Sequence, residues 1–143
     1  MIRKIYGLSR KQIKKKIIQL VEELELQEFI NNLVGSLPLG WKQKLSFSVA
    51  LLHEPKIVFL DEPTGGVDPI TRRQFWEMIY TQAYKGTTIF VTTHYMDEAE
   101  YCDRVSIMVD GAIEALDTPK KLKEQFKVDS MNEVFLKLAR NIE

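Results

Sequence analysis

The sequence predicts an α/β fold in which short parallel strands are joined by crossover helices and preceded by a helical segment. Three observations predict it. The apolar run Ile57-Val58-Phe59-Leu60 ends in Asp61-Glu62-Pro63 and a Gly65-Gly66 turn, the pattern of a strand buried on both faces of a parallel sheet. A second run of β-branched and aromatic residues, Thr87 to Thr92, reads as another buried strand. Between them lies a helical stretch, and strand, helix and strand in alternation imply parallel neighbours joined by a crossover.

Each element has its own signal. Ser9 to about Gln27 reads as an amphipathic helix, because Ile13, Ile17, Leu20, Val21 and Leu24 recur at helical spacing and Ser9 with Gln12 can form a capping box. Gly35 and Pro38 interrupt that pattern, and a second helix is expected from Trp41 to about His53, ending before Pro55. Asp68-Pro69 has the form of an N-cap followed by proline at the first helical position, and the helix it opens runs to about Tyr84 and stops near Gly86. A short helix follows His94. Strands near Arg104–Val109 and Ala112–Ala115 are joined by Asp110-Gly111, a strong hairpin pair. Thr118-Pro119 and Ser130-x-x-Glu133 open two final helices. The chain then falls into three segments: helices over 1–53, an α/β core over 54–117 and C-terminal helices over 118–143.

Composition narrows the function classes. Of 143 residues, 45% are hydrophobic and 28% charged, the balance of a globular chain and not of a disordered one. The formal net charge is zero, so nothing overall points to nucleic acid. Basic residues do gather near the start (Arg3, Lys4, Arg10, Lys11, Lys14, Lys15, Lys16), with glutamates after them, as on a solvated helix face. Cys102 is the only cysteine, which excludes an internal disulfide and fits a reducing compartment. No apolar run approaches the length of a membrane span, and the first residues lack the apolar core of a secretory signal. Service to a membrane process would run through a partner.

The strongest chemical feature is Asp61-Glu62 at the end of a predicted strand. Ligands of open α/β sheets bind at the carboxyl edge, where these two acids would stand. In nucleotide hydrolysis one carboxylate can hold Mg²⁺, a hard ion that keeps its waters, while a second orients or deprotonates the attacking water. A helix-capping or solvated acidic turn is the other reading of the same residues. The next strand ends in Thr92-Thr93-His94, whose polar tip would approach the same edge, and His94 could donate to a phosphate oxygen or serve only the fold. His53 reads as a helix-end residue near the C-terminal dipole.

These segments, in this order, resemble the ATP-binding-cassette (ABC) ATPase family. Ile57 to Pro63 looks like its Walker B strand with the following catalytic Glu, Gly65-Gly66-Val67-Asp68 like its D-loop, and His94 in Val91-Thr92-Thr93-His94 like its switch histidine. Leu37-Pro38-Leu39-Gly40-Trp41-Lys42-Gln43-Lys44-Leu45 falls where the family carries its signature, usually LSGGQ, and leads into the strand through Glu54-Pro55-Lys56. The stretch Thr93 to Glu100 looks most like exporter-type subfamilies. The resemblance covers essentially the whole chain and implies a P-loop NTPase (RecA-like) fold, incomplete, with part of the helical subdomain. It implies ATP and Mg²⁺ as cofactors, a second nucleotide-binding domain and integral membrane subunits as partners, no nucleic acid, and a place at the cytoplasmic face of a membrane. By the same resemblance Asp61 would act on the Mg²⁺ shell, Glu62 would polarise the attacking water, His94 would contact the γ-phosphate and Asp68 would communicate across a dimer interface. Gly40, with Pro38 and Leu39, would face ATP bound on the opposing subunit, as suits a helix N-terminus.

Two departures qualify the resemblance. Pro38 stands where the family usually has a serine hydroxyl, and it lacks both that hydroxyl and a backbone N–H; Leu39 stands where glycine is usual. The phosphate-binding loop G-x-x-x-x-G-K-[ST] is not found: Gly35 and Gly40 have the spacing, but Trp41 separates the second glycine from Lys42 and no Ser or Thr follows. The Walker A segment would lie before Met1. The expectation is therefore the C-terminal part of a nucleotide-binding domain, binding MgATP weakly or not at all by itself, with an exposed sheet edge. The competing readings are a non-catalytic remnant or regulatory chain, a soluble ABC protein outside transport, and a helicase, which also ends a strand in Asp-Glu.

Overall fold

The computed structural model describes residues 7, 9–23 and 27–140. The chain forms two compact units, Met1–Thr92 and Thr93–Glu143.

In the first unit, helix α1 (Arg10–Glu23) opens with the expected capping box: the Gln12 amide donates to Ser9 Oγ at 3.2 Å and the Ser9 amide to Gln12 Oε1 at 2.8 Å. The helix ends before the expected Gln27, which instead begins a 3₁₀ turn, Gln27–Phe29; Leu24 lies outside the described residues. A second 3₁₀ turn, Val34–Ser36, leads to helix α2 (Leu39–Leu51). This helix starts two residues before Trp41, because Pro38 at φ −55° occupies the cap position and its carbonyl accepts from the Lys42 amide at 3.1 Å. Strand β1 (Ile57–Asp61), helix α3 (Pro69–Tyr84) and strand β2 (Thr88–Thr92) follow. The strands pair in parallel from Ile57↔Thr88 to Asp61↔Thr92, so α3 is the crossover.

Two apolar contacts hold this unit. Phe47 of α2 and Phe75 of α3 are both buried, with ring centroids 5.3 Å apart. Leu20 of α1 packs with Phe29, Trp41 and Leu45, and Lys16 pairs with Glu54 at 2.6 Å. The sheet differs from expectation on one point. In β1 only Val58 is buried, and in β2, expected as a second buried strand, no residue is; Phe59 is 77% and Phe90 54% exposed, and their rings stack 5.1 Å apart on an open face. A strand sends alternate side chains to opposite faces, and an unbroken apolar run does not say whether both faces are covered.

In the second unit a 3₁₀ turn (Glu98–Tyr101) precedes the antiparallel hairpin of β3 (Val105–Val109) and β4 (Ala112–Asp117). Asp110 and Gly111, at φ 49° and 81°, are both left-handed, as a two-residue type I′ turn requires. Helices α4 (Pro119–Phe126) and α5 (Met131–Arg140) start where expected: Thr118 Oγ1 accepts from the Lys121 amide at 3.3 Å, and Ser130 with Glu133 forms a capping box. Ala99, Ile107, Leu122, Met131, Val134 and Leu138 make the core. Glu100 ties the two helices, accepting from Lys123 Nζ at 2.6 Å and from the Met131 amide at 3.1 Å. Burial, then Asp103 and Glu98, pushes the Cys102 thiol up to about 11, so it stays protonated and unreactive at neutral pH.

Phe75→Ala is expected to destabilise the protein by about 3–5 kcal/mol, the range for deleting a buried aromatic ring. Chemical denaturation of the two proteins measures it; a loss below about 1 kcal/mol would mean the α2–α3 seam is not the core of the first unit.

Candidate functional site

Asp61 and Glu62 stand at the carboxyl end of β1, beside the end of β2. One side chain organises both. Thr92 Oγ1 donates to Asp61 Oδ1 at 2.5 Å and accepts from the Glu62 amide at 3.1 Å; that amide also reaches the Thr92 carbonyl at 3.1 Å. Glu62 takes φ 43°, a left-handed conformation that costs a non-glycine residue on the order of 1 kcal/mol or more. The Gly65 amide donates back to the Glu62 carbonyl at 3.0 Å, closing a tight turn over the buried Pro63 and Thr64. The two adjacent acids thus sit on unlike backbone, Asp61 within the ladder and Glu62 past its end.

The donor set suits a hard divalent cation. Asp61 offers an exposed carboxylate, and among the described residues no three His, Cys, Asp or Glu side chains gather as metal ligands. An ion held here would draw most of its shell from water or phosphate, as Mg²⁺ does.

Pro38, Leu39 and Gly40 form the start of α2, and no side chain caps that end. They border a cleft of about 280 Å³ shared with Gly66 and Asp68. Gly40 is required there by space: a Cβ on it would overlap Thr71 Cγ2. Thr71 is in turn fixed by Asp68, whose Oδ1 accepts the Ile70 and Thr71 amides at 3.0 Å and whose Oδ2 accepts Thr71 Oγ1–H at 2.5 Å. The Thr71 hydroxyl first, then its amide, hold the Asp68 carboxyl below the usual aspartate value. Lys44 lines the cleft, its ammonium 5.1 Å from the Trp41 ring centroid and 2.6 Å from Gln74 Oε1. Gln43 Nε2 donates to the Gly65 carbonyl at 3.2 Å, joining α2 to the turn after Glu62.

His94 belongs to the second unit, exposed, with its ring centroid 4.1 Å from that of Tyr95. The structure therefore brings Asp61 and Glu62 together through Thr92, and Gly40 and Asp68 together through Thr71. Sequence pattern alone reveals neither Thr92 as a connector nor Gln43, both of which act across more than twenty residues. For Thr71 the Asp68-x-x-Thr71 spacing is a usable signal, since aspartate at a cap reaches the third helical residue.

The chain is similar to known proteins in sequence and in fold. A family model described as ABC transporter matches residues 3–65. "Probable multidrug ABC transporter ATP-binding protein YbhF" of Escherichia coli K12 is 45% identical over 142 residues, covering 96% of this chain and 25% of that protein. "Cholesterol transporter ABCA5" of Homo sapiens is 39% identical over 136 residues, 93% of this chain and 8% of that protein. The chain thus spans a quarter or less of the length of these curated relatives. Among solved structures, an ATP-binding subunit of an ABC transporter superposes with a TM-score of 0.79 at 30% identity, over 95% of this chain and 58% of that one. The cbiO1 protein of Clostridium perfringens, described as part of the ABC transporter complex cbiONQ, gives 0.69 at 28% identity, over 93% and 53%.

Gly40→Ala is expected to lower stability by about 1–3 kcal/mol through overpacking against Thr71, and Thr71→Ser, which removes Cγ2, to recover most of it. Denaturation of the single and double variants checks this; equal losses in both would remove the close approach as the reason for glycine. The Asp68 cap also sets a pH dependence. Its folded carboxyl titrates below the unfolded one, so its stabilisation is present above the ordinary aspartate range and lost as pH falls through the folded value. Carboxyl ¹³C titration should place Asp68 below the ordinary aspartate value, and Thr71→Val should raise it.

Proposed function

This chain belongs to the ABC transporter ATP-binding family, and from that premise we propose that it carries part of the ATPase site that powers export through membrane partners. Its fold is that of the family's P-loop ATP-binding subunits. On this reading residues 1–53 supply helical subdomain, 54–117 ATPase core and 118–143 C-terminal helices.

The observation that carries the proposal is the Thr92 hydroxyl set between Asp61 and Glu62. It gives neighbouring carboxylates separate positions, which supports separate roles. Asp61 would act on the Mg²⁺ shell, and the ion, bound with ATP, would neutralise phosphate charge. Glu62, turned past the strand end, orients the attacking water and accepts its proton. His94 donates to the γ-phosphate. Pro38, Leu39 and Gly40 present the free end of α2 to ATP held by a second nucleotide-binding domain, and Asp68 lies at that dimer contact. Without a hydroxyl or an amide hydrogen at Pro38, this end contributes less to hydrolysis than a serine-bearing signature.

The finer points rest on narrower support. Export is supported by the Thr93–Glu100 stretch and by the multidrug description of a 45% identical relative. No helix among the described residues is long and apolar enough to cross a membrane. Attachment at the cytoplasmic face through integral membrane subunits is part of the transport reading, which the solved relative described as part of an ABC transporter complex supports. Residues 1–143 contain no G-x-x-x-x-G-K-[ST] loop, so by themselves they are expected to bind MgATP weakly or not at all.

In the ATPase assembled with its partner domain, Glu62→Gln is expected to lower turnover by about 10²–10⁴-fold while ATP binding persists. Unchanged turnover would remove Glu62 as the base. The assembled protein should also co-purify with a polytopic membrane subunit; recovery with ribosomes or DNA instead would overturn the transport reading.

A further inference from the structure

Glu98 is fully buried in the second unit, at 0% exposure, although it stands in the first turn of a short 3₁₀ helix where a glutamate ordinarily faces water. A buried carboxyl is tolerated only when its oxygens are satisfied, so its partners say what it is there to hold. Oε2 accepts Thr93 Oγ1–H at 2.6 Å. The same Thr93 oxygen accepts the Tyr95 amide at 3.0 Å, and the Glu98 amide donates to the Tyr95 carbonyl at 3.0 Å. Three hydrogen bonds thus close the segment 93–98 on itself. His94 is the residue enclosed between the two fixed points, Thr93 and Tyr95, and its ring lies against that of Tyr95. The far end of the segment is anchored as well: Ala99 is part of the core with Ile107, Leu122 and Val134, and Cys102 Sγ reaches the Glu98 carbonyl at 3.7 Å.

We propose that Glu98 is a positioning residue that fixes the backbone on both sides of His94 by holding the Thr93 hydroxyl. It acts through Thr93 and touches no substrate. The inference rests on the reading of His94 as a phosphate contact for its functional consequence, while its geometry stands on the second unit alone. Its physical logic is preorganisation: a donor aimed at a phosphate contributes most when its backbone need not be ordered at the moment of binding. Truncating Glu98 leaves the Thr93 hydroxyl without this acceptor. The hydroxyl then turns away, the Tyr95 amide loses a fixed partner, and the peptide flanking His94 gains freedom.

The test is hydrogen exchange and NMR on the full chain. In Thr93→Val and in Glu98→Ala, exchange of the Tyr95 amide should speed up by about tenfold, the equivalent of one lost hydrogen bond, and the His94 imidazole resonances should shift. Thr93→Ser, which keeps the hydroxyl, should leave both as in the parent protein. Methyl signals of Leu122, Val134 and Leu138 report whether the core is intact. If Glu98→Ala unfolds the unit, Glu98→Met carries the test, since it keeps the side-chain length and removes only the acceptor oxygens. Parent-like Tyr95 exchange and His94 resonances in the Glu98 variant or in Thr93→Val, or changes as large in Thr93→Ser, overturn the proposal. Adding MgATP to the assembled ATPase separates the two readings: a His94 signal indifferent to nucleotide removes the phosphate role, whereas the exchange data decide the role of Glu98.

Discussion

Two parallel strands cannot be joined by a tight turn, and much of the first unit follows from that constraint. The pairing of β1 with β2 requires a crossover, here α3, and the crossover must begin just after β1 ends. The turn that starts it therefore carries Asp61, Glu62, the two glycines and Asp68 in close succession. Because the strands run the same way, the end of β2 arrives beside the end of β1, and Thr92 can reach both acids. The crossover also returns along the sheet, which places Phe75 against Phe47 and brings α2 down onto the first turn of α3.

Carboxylates serve two unlike purposes within eight residues of chain, from Asp61 to Asp68. Asp68 is spent on structure: its oxygens close the N-terminus of α3 and hold Thr71, and the surface that Thr71 presents leaves room only for a glycine at position 40. Asp61 gives one oxygen to Thr92 at the end of β1, which ties the two strand ends together. Substituting Asp68 would therefore disturb the cap and the packing at Gly40 together. Within the second unit Glu98 and Glu100 divide in a similar way, one inward to the loop around His94, the other binding α4 to α5.

What the sequence disclosed follows the range of the forces involved. Caps and the hairpin turn depend on residues within four positions of one another, and Ser9-Gln12, Asp68-Pro69, Asp110-Gly111 and Ser130-Glu133 all appear as read. The two acids at a strand end were equally legible, because an apolar run broken by Asp-Glu is a local pattern. The connectors were not: Thr92 lies 31 residues from Asp61, and nothing at either position announces the other. The openness of the Phe59 face was hidden for the same reason, since covering a face is decided by what packs there. Pro38 shifted the start of α2 because its fixed φ suits a cap position, a point the helical periodicity alone did not weigh.

The left-handed backbone at Glu62 has a consequence for how this position tolerates change. Glycine would adopt that conformation without steric cost, so a chain selected only for thermal endurance drifts toward Glu62→Gly and loses the acid. Among the described residues Glu54, Asp110 and Lys127 bear the same left-handed backbone, so a stability screen would press on all four positions alike.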